Sequence, residues 1–323
     1  MGPVSITVAL VHWAHARLRS ALKAARYTQP FNLLATTLTR ALLPPGRLRS
    51  WAVKHLHRVG HVCSTLPNGR RLRLWSLADD WVSNQVFWQE WRGYEPETSP
   101  LFFRLAASAR VTLDVGAHVG FFSLVAGHAN SQGQVVAFEP LPPLFTRLRA
   151  NVARNRLSNV TCVECAVGDQ TGQADFYHVA NCLPCSSSLS FAFMSGTPGL
   201  SCSRVAVTTI DHFVAEAGLA SVDLVKIDTE STEPAVLRGM SETLRRWRPT
   251  IICEVLPGRG TEQQLADILK PLGYLFYHLR PDGPQATPRI EGHPEWLNYA
   301  FVPDSAVFER VAVARTSGTA NLG

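Results

Sequence analysis

The first 78 residues contain no aspartate or glutamate, although they include twelve lysine and arginine residues. The other 19 basic residues and all 25 acidic residues follow, so a basic arm precedes a body with net negative charge. A surface of one sign predicts a partner of the opposite sign, either membrane headgroups or nucleic acid. The alternative is a solvated helical face that merely lacks acids.

Long hydrophobic runs are also missing. No apolar run approaches the roughly 20 residues that a membrane-spanning helix needs. The apolar stretch 4–16 has its basic residues after it, which disfavours a secretory signal, whereas an organelle transit peptide stays compatible with the arginine-rich start. We therefore expect a cytoplasmic protein, either free or at the periphery of a membrane. In the peripheral case, residues 1–60 would contact anionic lipids through amphipathic helices.

Cysteine is sparse, and seven residues in 323 favour free thiols in a reducing compartment. Two pairs, Cys162 with Cys165 and Cys182 with Cys185, have the spacing of a four-thiolate zinc site. However, the first pair lies in an alternating, strand-like stretch, where residues three apart point to opposite faces. We prefer buried free thiols as the interpretation.

From residue 110 onward, predicted strands alternate with predicted helices. The strands are Val111–Val115, Gln134–Phe138, Val160–Val167, Ala174–Val179, Arg204–Ile210, Val222–Asp228, Thr250–Val255, Tyr274–Leu279 and Tyr299–Val302. The helices are Phe121–Ala129, Pro142–Asn155, Glu233–Arg246 and Thr261–Leu272, with Pro281–Pro294 as a connection. Repeated β–α units of this kind predict an α/β fold, with a mostly parallel sheet and helices on both faces.

The region before residue 93 has a different pattern. Residues 4–60 read as helical segments, and 62–77 as a hairpin. A tryptophan-rich stretch follows, in which Trp81, Trp88 and Trp91 fall near one helical face. These rings are expected to pack in the core; the alternative is a stacking surface for a sugar ring.

A glycine turn follows the first predicted strand of the sheet. It reads Asp114-x-Gly116-x-x-x-Gly120, and ligands of such sheets bind beyond the carboxyl ends of the strands. A dinucleotide site would need a third glycine where this chain has His118, so the phosphate cradle is incomplete. Glu139 ends the next strand, where its carboxylate can accept hydrogen bonds from both ribose hydroxyls. The turn therefore indicates a cofactor that has a ribose and no phosphates; helix caps or a salt bridge are the alternative roles for the two acids.

Several ordered blocks resemble those of the FkbM-type S-adenosylmethionine-dependent methyltransferases, and the resemblance runs from about Tyr94 to Val302. The blocks are Gly93–Glu97, Leu113–Gly120, Val136–Pro140, Ala166–Asp169, Thr208–Asp211, Leu224–Glu230 with Glu233, Val236–Gly239 and Ile252–Glu254. The resemblance implies a class I methyltransferase (Rossmann-like) fold, with a seven-stranded sheet whose last strand is antiparallel. It also implies O-methylation of hydroxyls, often on sugars or polyketides.

The resemblance also implies roles for particular residues. Asp114 and Gly116 would border the methionine part of the cofactor, within the turn that also holds His118 and Gly120. Glu139 would hold the ribose, and Asp169 would sit near the adenine. The family usually has a glycine where this chain has Ser231, which indicates an altered turn after the fourth principal strand.

Methyl transfer to a hydroxyl benefits from a general base, by roughly 10²–10⁴-fold. The residues that we expect to serve catalysis lie at the ends of the fourth and fifth principal strands, and they are Lys226, Asp228, Glu230, Glu233 and Glu254. Lys226 and Asp228 share one face of their strand by the period of two. Two alternatives stay open: a divalent cation held by these acids, and a purely structural ion pair of Lys226 with Asp228 or Glu230.

We thus predict a basic helical region with a hairpin (1–92), a methyltransferase domain (93–310) and a flexible tail (311–323). The predicted activity is methyl transfer from S-adenosylmethionine to a hydroxyl of a sugar, glycolipid or polyketide-type acceptor. The alternatives are a nicotinamide-dependent oxidoreductase and a non-catalytic, membrane-associated binding module. Nucleic acid is not expected as a substrate, because no Asn/Asp-Pro-Pro-Tyr/Phe motif follows the fourth principal strand.

Overall fold

The computed structural model describes residues 28–44, 46–179 and 187–313. Its α-helices are α1 (Gln29–Leu42), α2 (Arg47–His55), α3 (Trp81–Gln89), α4 (Ser99–Ser108), α5 (Phe121–Ala129), α6 (Pro142–Asn155), α7 (Phe191–Met194), α8 (Ile210–Glu216), α9 (Glu233–Arg238), α10 (Ser241–Trp247), α11 (Thr261–Leu269) and α12 (Ser305–Val313). Its strands are β1 (Val59–Thr65), β2 (Arg71–Leu77), β3 (Val111–Val115), β4 (Gln134–Phe138), β5 (Val160–Val163), β6 (Ala166–Val167), β7 (Gly172–Val179), β8 (Ser187–Ser188), β9 (Leu200–Thr208), β10 (Leu224–Ile227), β11 (Thr250–Glu254), β12 (Leu275–Arg280), β13 (Gly283–Thr287) and β14 (Asn298–Val302). Two 3₁₀ turns, Trp91–Gly93 and Lys270–Leu272, follow α3 and α11.

The main sheet contains strands in the order β13-β12-β14-β11-β10-β3-β4-β5. The five from β11 to β5 run parallel, whereas β14 is antiparallel to both of its neighbours. Alternate residues of one strand enter different cores: Val135 and Ala137 pack with α5 and α6, and Val136 and Phe138 pack with α8 to α10. Helices therefore cover both faces, and the predicted α/β class is confirmed.

The main sheet has eight strands among the described residues, so the expected number of seven is wrong by one. The extra strand, β13, lies inside the predicted connection Pro281–Pro294 and pairs with β12 across the tight turn Pro281–Asp282. Pro284 has no N–H to donate, yet β13 tolerates it because an edge strand pairs on one side only.

The predicted strand Val160–Val167 divides into two. Its first half, β5, ends the main sheet, and its second half, β6, joins a second sheet of order β6-β9-β7-β8. The predicted helix Glu233–Arg246 also divides, at Gly239, where a Cβ would lie 2.0 Å from the carbonyl oxygen of Gly168. Cys162 and Cys165 are free thiols at the first break; Cys182 and Cys185 lie outside the described residues.

The N-terminal region packs on the sheet domain. The predicted hairpin is confirmed as β1 and β2, and the backbone N–H groups of Arg73 and Trp75 donate to Asn155 and Asn151 of α6 at 2.9 and 3.0 Å. Apolar side chains from residues 52–91 join the same hydrophobic core as α5 and α6. The helix α12 reaches Val313, so the chain is still helical where the tail was expected to begin at 311; residues 314–323 lie outside the described part.

Candidate active site

A cavity of about 220 Å³ lies beyond the carboxyl ends of four parallel strands. Each strand contributes to its wall, through Gly116 after β3, Glu139 after β4, Asp228 after β10 and Glu254 at the end of β11. This is the edge at which open α/β sheets bind ligands. Residues that are more than 100 positions apart therefore meet at one site.

The glycine turn after β3 requires its two glycines. Gly116 has φ +83°, and a Cβ on it would lie 1.9 Å from the carbonyl oxygen of Asp228. Gly120 has φ +92°, and its Cβ would lie 2.5 Å from Leu148 of α6. The backbone contact at Gly116 excludes a side chain there, which lets β3 and β10 converge. At Gly120 the positive φ favours glycine where α5 packs against α6. Gly120 is structural here, since it does not line the cavity.

The side chain of Glu139 joins the glycine turn to the wall of the cavity. Its two oxygens accept hydrogen bonds from the backbone N–H groups of His118 (2.9 Å) and Leu141 (3.0 Å). Burial raises the pKa of Glu139 to about 7, against these two hydrogen bonds, which favour the ionised form. Each carboxylate oxygen has a second lone pair, so ribose hydroxyls can still donate to Glu139. His118 lines the same cavity.

Asp114 is buried behind the turn, and it does not line the main cavity. It accepts a hydrogen bond from the hydroxyl of Ser123 on α5, and burial raises its pKa to about 6. It lines a smaller adjoining void of about 30 Å³, together with Gly116, Lys226 and Asp228. Asp114 therefore supports the turn from inside.

Asp169 does not line the main cavity. Its carboxylate pairs with Arg238 at 3.0 Å, and it lines a separate surface depression. The apolar residues Phe138, Ala166 and Val167 line the main cavity instead. The expected place of Asp169 near the adenine stays a prediction.

Four polar side chains surround the ammonium group of Lys226, which is fully buried. Its Nζ lies 3.3 Å from Asp228, 3.4 Å from Asn298 and 3.9 Å from Glu95, and Asn298 also donates to Glu95 at 2.8 Å. Glu254 adds a further negative charge nearby. Burial lowers the pKa of Lys226, but the carboxylates of Asp228 and Glu95 raise it more, so the lysine stays charged. The predicted Lys226–Asp228 pair is present as part of this larger network.

The turn after β10 is held by Glu233. Its Oε1 accepts from the backbone N–H groups of Thr229 (3.2 Å) and Ser231 (3.0 Å), and burial raises its pKa to about 7. Glu230 and Ser231 have φ values of +56° and +78°. Glu233 is thus a structural residue, whereas Glu230 lines the cavity.

The pKa values of two cavity residues, Glu254 and Tyr94, are raised by burial. Burial raises the pKa of Glu254 well above its ordinary value, and the nearby charges of Asp228 and Glu230 add to the effect. Its Oε2 is buried without a hydrogen-bond partner in the described part of the chain. Burial likewise raises the pKa of Tyr94, which lines the cavity.

Sequence reasoning missed Tyr94, Glu95 and Asn298 as site residues. The first two lie in the block Gly93–Glu97, which was noted only as part of a resemblance. Asn298 is 203 residues away from Glu95, and no local pattern marked it. Trp81 also lines the cavity and is 40 % exposed, whereas Trp88 and Trp91 are buried. The sugar-stacking alternative therefore applies at most to Trp81.

Among residues 28–44, 46–179 and 187–313, no group of three or more His, Cys, Asp or Glu side chains is placed to hold a metal ion. No helix in the same ranges is both long enough and apolar enough to cross a membrane.

The sheet order, the glycine turn after β3 and the acid at the end of β4 define a class I methyltransferase. Residues 114–299 match the family model described as the methyltransferase FkbM domain, which is more than half of the chain. The chain therefore belongs to the FkbM methyltransferase family, whose members depend on S-adenosylmethionine. The nicotinamide-dependent alternative is not supported.

Three curated relatives are similar over different lengths. The chain is 29 % identical to the 31-O-demethyl-FK506 methyltransferase FkbM of Streptomyces tacrolimicus over 189 residues, which cover 51 % of this chain and 72 % of that protein. It is 25 % identical to the AMB antimetabolite synthetase AmbE of Pseudomonas aeruginosa over 278 residues, 75 % of this chain but 12 % of that protein. It is 28 % identical to the 2-O-methyltransferase NoeI of Sinorhizobium fredii over 149 residues, 43 % of this chain and 60 % of that protein.

Proposed function

We propose that this protein transfers a methyl group from S-adenosylmethionine to a hydroxyl oxygen of a sugar, glycolipid or polyketide-type acceptor. The observation that carries the proposal is a single cavity lined both by Glu139 and by the acids Asp228, Glu230 and Glu254. The first suits a ribose, and the others suit a hydroxyl that must lose its proton. The names of two relatives, an O-demethyl-FK506 methyltransferase and a 2-O-methyltransferase, support oxygen as the acceptor atom.

The residues present fit the cofactor. Glu139 offers carboxylate lone pairs at the end of β4, and the glycine turn brings backbone to the same wall. Phe138, Ala166 and Val167 offer an apolar surface for an adenine. S-adenosylmethionine supplies an electrophilic methyl group on a sulfonium. A site that excludes water and aligns the acceptor oxygen with that methyl group accounts for much of the expected rate enhancement.

We assign the general base to Asp228. Its side chain is 24 % exposed, it lines the cavity, and the buried ammonium of Lys226 lies 3.3 Å from it. In this mechanism Asp228 takes the proton of the acceptor hydroxyl as the new C–O bond forms and the C–S bond breaks, so the sulfur leaves as a neutral thioether. Glu254 lines the same cavity, and burial raises the pKa of its carboxyl well above the ordinary value. Glu230 is the other carboxylate that can accept the proton.

Trp81 is the residue that we propose for acceptor contact. It is the first residue of α3, it is partly exposed, and it lines the cavity. The flat face of an indole packs well against the C–H face of a sugar ring or another cyclic acceptor. A Trp81→Ala variant should therefore raise the KM for the acceptor and leave the affinity for S-adenosylmethionine unchanged.

Calorimetric titration with S-adenosylmethionine and S-adenosylhomocysteine, with NAD as control, tests the cofactor. We expect micromolar binding of the first two, lost in Glu139→Ala and kept in Asp169→Ala, because Asp169 lies outside the cavity. Binding of NAD alone, or of none of the three by folded protein, contradicts the proposal.

A transfer assay with labelled S-adenosylmethionine and a panel of hydroxylated acceptors tests the chemistry. Asp228→Asn should lower kcat by roughly 10²-fold or more and leave cofactor affinity intact. A larger loss in Glu230→Gln than in Asp228→Asn would move the base to Glu230. Loss of activity with a chelator, restored by Mg²⁺, would favour the divalent-cation alternative. Cofactor binding without transfer to any acceptor would favour the non-catalytic binding module.

We further propose that 93–310 is the methyltransferase domain proper and that 1–92 is a family-variable addition. The match to the family model lies within the first of these ranges.

A further inference from the structure

Helix α1 has its polar and apolar faces reversed relative to an ordinary surface helix. Asn32 and Thr36 are fully buried against the protein. Leu34, Leu38 and Leu42, which recur at intervals of four, are 61, 47 and 74 % exposed. A soluble surface helix normally turns its leucines inward and its polar residues outward. The outward stripe therefore needs an explanation outside the described residues.

Hydrogen bonds hold α1 in this orientation. The Asn32 amide donates to the carbonyl oxygen of His57 at 2.9 Å and accepts from the N–H of Val59 at 2.7 Å. The hydroxyl of Thr36 accepts from the guanidinium of Arg58 at 2.6 Å. Rotating the helix to bury its leucines would break these bonds and leave buried polar groups unsatisfied, at a substantial cost. The apolar stripe is thus held toward solvent by the fold itself.

The neighbouring helix extends the exposed apolar area. On α2, Leu48 is 71 % exposed and Trp51 is 63 % exposed, and Phe31 at the start of α1 is 54 % exposed. We call these three residues, with the leucine stripe of α1, the α1–α2 apolar surface. Several large, exposed apolar side chains on two neighbouring helices are typical of an interaction site.

The basic residues beside the α1–α2 apolar surface favour a partner that carries negative charge. Arg47 and Lys54 on α2 are exposed and form no salt bridge in the described part of the chain, and no acid occurs before residue 79. A second copy of the chain that docked through its own α1–α2 apolar surface would bring like charges together. Residues 1–27 contain four basic residues and no acid, so they too lack the opposite charge. An anionic lipid surface offers both an apolar layer and negative headgroups.

We propose that the α1–α2 apolar surface inserts into the headgroup region of an anionic membrane. This inference narrows the expected contact region from residues 1–60 to helices α1 and α2. It does not depend on methyl transfer, because vesicle binding is measured without S-adenosylmethionine or acceptor.

Co-sedimentation of the full chain with vesicles tests the proposal. We expect binding to mixed phosphatidylglycerol–phosphatidylcholine vesicles, weak binding to phosphatidylcholine alone, and release by added salt. Leu42→Glu should weaken binding at least about tenfold, since it removes apolar contact and adds repulsion. Val307→Glu is the matched control, because Val307 is 51 % exposed but lies on α12, outside the α1–α2 apolar surface. The Val307→Glu protein should bind vesicles like the wild type.

Arg47→Glu, on the other helix, supplies a second and independent variant. It should also weaken binding to the anionic vesicles, and thermal unfolding of both variants should match the wild type because the mutated side chains are exposed. Equal binding by Leu42→Glu and wild type would overturn the proposal. The proposal would also be overturned if the protein bound no vesicles and sedimentation velocity showed a dimer that Leu42→Glu dissociates.

Discussion

Replacing Ser231 with glycine should make this protein more stable. Ser231 has φ +78° in the turn after β10, and its hydroxyl is buried without a hydrogen-bond partner among the described residues. At such a φ, glycine is favoured by about 1 kcal/mol over a residue with a Cβ, after allowance for its larger entropy in the unfolded chain. Removing an unsatisfied buried hydroxyl adds about 1 kcal/mol. We expect a gain of about 2 kcal/mol, or a Tm higher by about 4 °C.

Two companion variants separate these contributions. Ser231→Ala keeps the Cβ and removes the hydroxyl, so it should gain about 1 kcal/mol, half of the glycine effect. Ser195→Gly replaces an exposed serine with φ −59° and should lose about 0.5–1 kcal/mol. Thermal and urea unfolding of the three variants give the comparison. A Ser231→Gly protein no more stable than wild type, or no more stable than Ser231→Ala, would refute the reasoning about the backbone.

Three other perturbations follow from the site. Gly116→Ala should destabilise the protein by at least about 3 kcal/mol in thermal unfolding, because its Cβ would lie 1.9 Å from the carbonyl oxygen of Asp228. Glu233→Ala should cost about 2 kcal/mol in urea unfolding, since it leaves two backbone N–H groups of the turn, including that of Ser231, without their acceptor. The affinity for S-adenosylmethionine should rise from about pH 6 to about pH 8, because Glu139 has a pKa of about 7 and accepts hydrogen bonds from ribose hydroxyls better once it is ionised. Calorimetric titration at each pH measures this rise.

Each of these three has a matched control. Gly258 has φ +71° and open space around it, so Gly258→Ala should lose only about 1 kcal/mol. Glu233→Gln keeps an oxygen acceptor and should lose less than Glu233→Ala. Glu139→Gln cannot ionise, so its affinity should not change with pH. If Gly116→Ala lost no more stability than Gly258→Ala, the inferred close contact at Gly116 would be wrong. If the cofactor affinity of Glu139→Gln still changed with pH, the titrating group would be a residue other than Glu139.

Much of the sheet and half of the site could be predicted from local patterns. The helices Phe121–Ala129 and Pro142–Asn155 have the predicted bounds, because apolar spacing, a glycine turn and an N-terminal proline act within a few residues. Gly116 and Glu139 line the cavity as expected, because each follows directly after a parallel strand. The positions of these two residues follow from the order of the strands in the sheet.

The errors share a physical origin in contacts between distant segments. The predicted strand Val160–Val167 is divided, because pairing of β6 with β9 draws its second half away from the main sheet. The fragment Val160–Val167 alternates throughout, so no local signal showed that Glu164 and Cys165 would separate two strands. Likewise, Gly239 ends a helix because the backbone of Gly168 lies against it.

The sequence by itself determined the α/β class, the glycine turn, the acid after β4 and the unusual serine, because strand alternation, helix periodicity and backbone conformation are local properties. Only the tertiary structure decided that Lys226 is surrounded by Asp228, Glu95 and Asn298. A buried charge needs partners from whatever segments converge on it, and these come from three parts of the chain. The outward leucines of α1 were decided in the same way, because buried hydrogen bonds of Asn32 override the usual orientation of an amphipathic helix.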